Sequence, residues 1–393
     1  MTGLSRLSAV VLLLATLAAC DSGTAGTDRA WRTPPVEPAE SLIAQRLPRT
    51  TYLGGPFLRH PQVVTVTFAG DAPGLVDRLE QFGATITHST WWRAAVDQFC
   101  RTADDCVGDG VPAQPVRLSA AAPTAIRDVD VADLLRREAE VGRLGDLGLD
   151  SLLLVYLPAG TALTEVTVGV YCDGRARALH RSLLIGTQPV PYAVVPRCGE
   201  EAELTATASH EILEATTNPD PSRRGFAFES GGAGAGFTAA GVEPVDPCGL
   251  VTLDRHRTVA DGFTVQRPWS DRAAAGGHNP CGPTDIPYLA LVPERAALQL
   301  DVGQTANIAL TAAADRPVAP WPVRAVDVTG LRSSTPCADV ALDRTAVAAG
   351  ETATLTITAR AQPPSGRCVV GTLSGSAPDD TLWPLALTVE VHR

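Results

Sequence analysis

Nine cysteines in a chain of 393 residues constrain this sequence more than any other feature. One of them, Cys20, closes an apolar run at the N-terminus. The other eight are an even set, and none stands in a CxxC spacing. That argues against a cysteine zinc site and for disulfides, which persist in an oxidising compartment. Eight cysteines can pair in about a hundred ways. Proximity along the chain selects Cys100–Cys106, Cys172–Cys198, Cys248–Cys281 and Cys337–Cys368.

The length allows two or three domains with a substantial core. Hydrophobic residues make up 45% and charged residues 19%, the balance of a globular rather than a disordered chain. A formal net charge of −11 argues against nucleic acid as a partner, because neutralising phosphates takes a basic face. There is no lysine, and all 32 basic residues are arginine. This removes P-loop lysines, Schiff-base lysines and Ser–Lys dyads together.

Arg6 supplies positive charge ahead of an apolar run from Leu7 to Ala19, which is too short to span a bilayer. The run ends Leu17-Ala18-Ala19-Cys20, which resembles the lipobox of bacterial lipoproteins. The resemblance implies cleavage before Cys20, lipidation of Cys20 and residence on the outer face of the bacterial cell membrane. A doubly lipidated residue anchors stably where one acyl chain does not. Residues 1–19 therefore read as a lipoprotein signal peptide. Residues 20–50 read as the lipidated cysteine and a flexible tether. No other stretch is long and apolar enough to predict a transmembrane helix.

Residues 51–286 read as one α+β domain. Val63 to Phe68 predicts a strand ended by Gly70-Asp71, and Pro73 to Phe82 a helix with Leu75, Val76, Leu79 and Phe82 on one side. Trp91, Trp92, Val96 and Phe99 suggest a second helix. Val129 to Leu144 predicts an amphipathic helix with Val131, Leu134, Leu135 and Val141 inward, capped by Asp128 or Asp130. Leu152 to Leu157, Val166 to Tyr171 and Tyr192 to Val195 read as strands. Leu204 to Thr217 reads as a helix with Glu200, Glu201 and Glu203 at its start, where negative charge suits the dipole, and Asn218-Pro219 at its end. Gly225 to Gly241 reads as loop. From about Pro287 the pattern changes to short alternating strands, and residues 287–393 predict an immunoglobulin-like β-sandwich. Val302-Gly303-Gln304-Thr305 and Ala349-Gly350-Glu351-Thr352 read as hairpin turns.

One segment carries chemistry: His210-Glu211-Ile212-Leu213-Glu214, within the predicted helix. Residues four apart share a helix face, so His210 and Glu214 can point at one ion. Glu211 lies beside them, where it can take a proton from water. This is the logic of HExxH zinc hydrolases with the second histidine replaced by a carboxylate. Zinc accepts carboxylate oxygen, and the more anionic set also suits a harder metal such as Mn²⁺. A catalytic zinc needs three protein ligands. Either Glu243 or Asp246 supplies the third, on a loop braced by Cys248, and the other stands behind it.

His210-Glu211-x-x-Glu214-Ala215 with Thr217-Asn218-Pro219, then Glu243-x-x-Asp246-x-Cys248, Val265 to Ser270 and Asn279-Pro280-Cys281 together resemble the plant EXORDIUM/phosphate-induced proteins and their bacterial secreted relatives. Ser89-Thr90-Trp91-Trp92-Arg93 and Tyr192 to Cys198 belong to the same likeness, which covers roughly residues 60–285. It implies a zincin-like metallopeptidase core. The family's Cys-Gly-x-His-Gly-like segment is not kept. Cys172-Asp173-Gly174 is followed by arginines and His180 comes later, which leaves open whether His180 reaches the site; as a surface histidine it needs no special role. His278 reads as structural, and His60, His88, His256 and His392 have no motif around them.

The expected function is a membrane-anchored metal-dependent hydrolase, a zinc peptidase acting on peptide or protein, with Glu211 as its base. The rival is a non-catalytic surface binding lipoprotein whose site is structural or vestigial. Serine hydrolysis is disfavoured: Ser209 and His210 are helix neighbours facing different ways, and no GxSxG elbow is present.

Overall fold

The computed structural model describes residues 47–165, 169–172, 177–231, 234–249, 257–282, 287–316, 319–332, 336–362, 367–374 and 381–390. The signal peptide, Cys20, most of the tether, Val166, His256 and His392 lie outside the described residues.

A central five-stranded sheet organises the first domain. Its strands are β1 (Gln62–Ala69), β2 (Val116–Ala121), β3 (Ser151–Tyr156), β4 (Leu179–Ile185) and β5 (Gln188–Val195). The spatial order is β4-β5-β3-β1-β2. β2, β1, β3 and β5 run parallel, and β4 pairs antiparallel at one edge. Helices and strands are mixed as expected, but the mostly parallel sheet is a feature the α+β reading did not contain. All six residues of β3 are buried, the pattern of a strand covered on both faces.

Four helices cover the two faces: α1 (Pro73–Thr85), α2 (Thr90–Val96), α3 (Asp128–Glu140) and α4 (Glu201–Thr217). One face of the sheet, with Val63, Leu152, Leu154, Ala193 and Val195, packs against Leu79 and Phe82 of α1, α2, and Leu204, Ala208 and Ile212 of α4. The other, with Val64, Leu153, Val155, Tyr192 and Val194, packs against Val131 and Leu135 of α3. The period of two along each strand sends alternate residues to opposite layers. Gly83 of α1 sits so close to β1 that a β-carbon there would lie 2.1 Å from Thr65 Oγ1.

α3 corrects its expectation at both ends. It stops at Glu140, so Val141 is 60% exposed rather than inward. Arg127 stands at the cap position, and its N–H donates to Asp130 Oδ2 at 3.4 Å. α4 ends where predicted but begins three residues earlier, at Glu201, and is buried from Leu204 to Thr217. It lies between the sheet and the hairpin of β6 (Arg257–Ala260) and β7 (Phe263–Gln266). The glycine-rich stretch is not all loop: Phe226–Phe228 forms a strand and Ala235–Ala240 a short helix, α5.

The second domain stacks a four-stranded and a five-stranded sheet around a shared core that includes Leu291, Ile308, Leu355, Ile357 and Val370. Both glycine turns differ from expectation. Ala297–Asp301 and Ala346–Val347 belong to the five-stranded sheet, while the strands that follow them, Thr305–Ala314 and Thr352–Ala359, belong to the other. Each turn therefore carries the chain from sheet to sheet instead of closing a hairpin. Gly303 and Gly350 adopt φ of 86° and 83°, a left-handed conformation that costs glycine little. The domains meet through Phe228, Phe237 and Trp269 on one side and Tyr288, Ala290, Ala313 and Trp383 on the other. Trp269 is fully buried there.

All four disulfides form as proximity indicated: Cys100–Cys106, Cys172–Cys198, Cys248–Cys281 and Cys337–Cys368. They fit an extracellular setting. Among the described residues no helix is long and apolar enough to cross a membrane.

Candidate metal centre

α4 delivers His210, Glu211 and Glu214 to one place, as the helical spacing requires. His210 Nε2 lies 3.1 Å from Glu214 Oε1. The chain after α4 then folds back. Asn218 ends the helix, and its Oδ1 accepts from Phe226 N–H at 2.9 Å while its Nδ2 donates to Glu243 Oε1. Glu243 N–H donates to Asp246 Oδ2 at 2.9 Å. This leaves Asp246 Oδ1 facing His210 Nε2 at 3.9 Å. The Asp246–Cys248 turn is held from behind by the Cys248–Cys281 bridge.

The place of His180, open from the sequence, is decided by the fold. His180 is 5% exposed and belongs to the cluster. The reason is register. β4 pairs with β5 so that His180 stands opposite Ala193, and cross-strand partners in an antiparallel pair share a face. Ala193 faces α4, so His180 does too. Its Nδ1 lies 3.4 Å from Glu211 Oε2 and 3.3 Å from Glu214 Oε2, and its Nε2 lies 3.8 Å from Glu243 Oε2.

Among the described residues, two sets of donor atoms in this cluster are compact enough to hold an ion. One is His210, Glu214 and Asp246, and the other His180, Glu211 and Glu214, with the atoms of each set within 4.8 Å of one another. Glu214 is common to both. Between the two carboxylates left open by sequence, Asp246 joins His210 and Glu214, while Glu243 is held by Asn218 and turned toward His180. A third group, Asp327 with Cys337 and Cys368, has its sulfurs tied in a disulfide, and Asp327 accepts backbone N–H bonds from Gly330, Cys337 and Ala338. It is structural.

The electrostatics follow from concentrating carboxylates out of water. Burial disfavours the charged form of His210, yet Glu214, Glu211 and Asp246 outweigh it and raise its pKa to about 10. His180 is likewise raised well above its ordinary value, against burial, by Glu243, Glu211 and Glu214. Burial alone would raise Glu214, but the two histidines hold it well below the usual carboxylate range. Glu243 is pushed up to about 7 by burial and by the charges of Glu214 and Asp246. His180 Nε2, Glu211 Oε2 and Glu214 Oε1 are buried without an aligned hydrogen bond, though each faces an oppositely charged partner in the cluster. A cation would meet the two carboxylate oxygens in place of the histidine protons, which it would have to displace. The donors are imidazole and carboxylate, a set that fits zinc and also a harder divalent ion.

Ser209 is no nucleophile here: it is buried, its Oγ donates to Ala206 O at 2.7 Å and accepts from Gln266 N–H at 2.9 Å. His60 hydrogen-bonds through Nδ1 to Asp109 O at 3.0 Å, away from the cluster. Asn218 and Gln266 were not foreseen as parts of the site. Both fall in segments that carry the family likeness, and Asn218 also reads as a helix stop, but neither segment assigns them a role at the cluster.

No protein-family model matches the chain, and no curated protein does. Among solved structures, the titin I-band fragment I67–I69 is similar at 16% identity and a TM-score of 0.18, over 27% of this chain and 32% of that one. This chain thus spans about a third of that fragment. The titin M3 domain is similar at 14% identity and a TM-score of 0.17, over 26% of this chain and 96% of that one. A Bacteroides ovatus GH5 xyloglucanase, solved with an XXXG heptasaccharide, is similar at 12% identity and a TM-score of 0.18, over 26% and 19%. Likenesses at this level speak to neither family nor activity.

Proposed function

We propose that this chain is a metal-dependent hydrolase of the zincin-like kind, anchored by lipid at Cys20 on the outer face of the cell membrane, and that its substrates are peptides or proteins. One observation carries the reading: His180, His210, Glu211, Glu214, Glu243 and Asp246 converge in one buried cluster, in which His210, Glu214 and Asp246 bring their donor atoms within 4.8 Å of one another. His210, Glu214 and Asp246 would hold the ion. Zinc there would supply Lewis acidity, polarising a carbonyl and lowering the pKa of water. Glu211, at the same cluster but outside that ligand set, accepts the proton that water gives up. His180, kept charged by three carboxylates, offers a donor to an oxygen gaining negative charge. β4, which carries His180, is the outer strand of its sheet, and an extended peptide fits beside such an edge. The C-terminal sandwich, read as immunoglobulin-like, packs on the side of the domain that carries α5 and Trp269.

The rival reading, a structural metal site in a non-catalytic binding lipoprotein, draws support from the low exposure of the cluster, where His210 and Asp246 are each 9% exposed. Metal analysis by ICP-MS separates the possibilities. One equivalent of zinc is expected in the wild type and its loss in His210→Ala and Glu214→Ala. Glu211→Gln should keep the metal and lose at least about 100-fold in turnover of a peptide-library substrate. A folded wild type that takes up no metal overturns the hydrolase reading. Metal without hydrolysis leaves the structural site.

A further inference from the structure

We infer that Gln266 is a positioning residue that fixes which nitrogen His210 presents to a metal ion. The inference rests on the metal-centre reading above. Gln266 ends β7, is 2% exposed, and is pinned through its own backbone: its N–H donates to Ser209 Oγ at 2.9 Å, and its carbonyl accepts from Trp91 Nε1 at 2.9 Å. Its side chain spans two partners. Nε2 donates to Val245 O at 3.1 Å, and Oε1 lies 3.1 Å from His210 Nδ1.

The orientation of the carboxamide follows from chemistry. A backbone carbonyl only accepts, so the NH₂ end must face Val245 and the oxygen must face His210. That oxygen also only accepts, so His210 Nδ1 must carry a hydrogen. In the neutral ring the lone pair is then on Nε2, the nitrogen that faces Glu214 Oε1 at 3.1 Å and Asp246 Oδ1 at 3.9 Å. The same carboxamide joins α4 to the loop of Asp246, because Val245 is the residue just before it. One side chain thus sets the tautomer of one ligand and the place of another, the usual work of groups behind a metal ligand.

Gly249 gives an independent handle. A β-carbon there would lie 2.4 Å from Gln266 Oε1 and 2.5 Å from its Cδ and Nε2, and the backbone, at φ of −158° and ψ of −7°, lies outside the helical and extended regions, so an alanine there also strains the turn. Gly249→Ala therefore displaces the carboxamide without deleting it. Gln266→Met keeps the length of the side chain and removes both hydrogen bonds.

The test uses the purified full chain with zinc as the probe. Zinc affinity is measured by chelator competition, folding by near-UV circular dichroism, and the His210 nitrogens by ¹⁵N NMR of the zinc-loaded protein. We expect both variants to fold and to bind zinc about 10- to 100-fold more weakly. The wild-type spectrum should show a proton on His210 Nδ1 and zinc on Nε2. Variants that bind within twofold of wild type, or a proton found on Nε2, overturn the inference while leaving the metal centre in place. Should Gln266→Met fail to fold, Gly249→Ala and the wild-type spectrum decide. A wild type that takes up no zinc overturns the metal-centre reading itself, and this inference with it.

Discussion

Zinc binding at this site should tighten about tenfold for each pH unit between pH 6 and 8.5. In the metal-free protein His210 is an imidazolium. Burial opposes its charge, but Glu214 at 3.1 Å, with Glu211 and Asp246 near, raises its pKa to about 10. A ligand imidazole must be neutral, so the ion displaces that proton. At pH 7 the displacement spans about three pKa units, which at about 1.4 kcal/mol each amounts to about 4 kcal/mol. Apparent affinity at pH 7 therefore sits about a thousandfold below its alkaline limit, and each unit toward that limit recovers about tenfold. Competition against a chelator of known pH dependence measures the slope. Calorimetry in two buffers of different ionisation enthalpy counts the protons released, with at least one expected at pH 7. An affinity flat in pH, or binding with no proton released, would refute the coupling of His210 to its carboxylates.

Asp271 links stability to pH. Burial, against hydrogen bonds from Thr50 N–H and Oγ1, pushes its pKa up to about 6, above an unfolded value of 3.8. Its contribution is full below pH 3.8 and is lost as pH rises through about 6, a change of about 3 kcal/mol. Urea unfolding of Asp271→Asn should accordingly lack that part of the wild-type decline, and parallel curves for the two proteins would count against it. Cys20→Ser should shift the protein from the membrane fraction to the soluble one, and unchanged fractionation would remove the lipid anchor.

Much of the site was legible because its central motif is local. His210 and Glu214 share a face by helical geometry alone, whatever surrounds them. The four disulfides join cysteines that are near in sequence, where closing a short loop costs little. α1 and α4 carried their own stop and start signals, Pro73 at one and Asn218-Pro219 at the other. The turns at Gly303 and Gly350 were legible as turns. That each crosses between sheets was not, since a turn sequence specifies its backbone and leaves open which strands pair beyond it. Val141 failed for a related reason: helical spacing assigned it a face, but the helix ended one residue before it.

Sequence by itself determined the elements and the chemistry each can carry: an HExxE helix, a cysteine-braced acidic loop, and a change to short strands near residue 287. Only the tertiary structure decided which of these meet. His180 joins the cluster because pairing with Ala193 turns it toward α4, and a register one residue away would send it to the opposite layer and bring Arg181 to the cluster in its place. Asp246 rather than Glu243 faces His210 because Asn218 and the Glu243 N–H each claim a carboxylate oxygen. Gln266 acts on His210 across 56 residues of chain. Contacts of that span are set by the packing of a hairpin on a helix, for which no local spacing in the sequence exists.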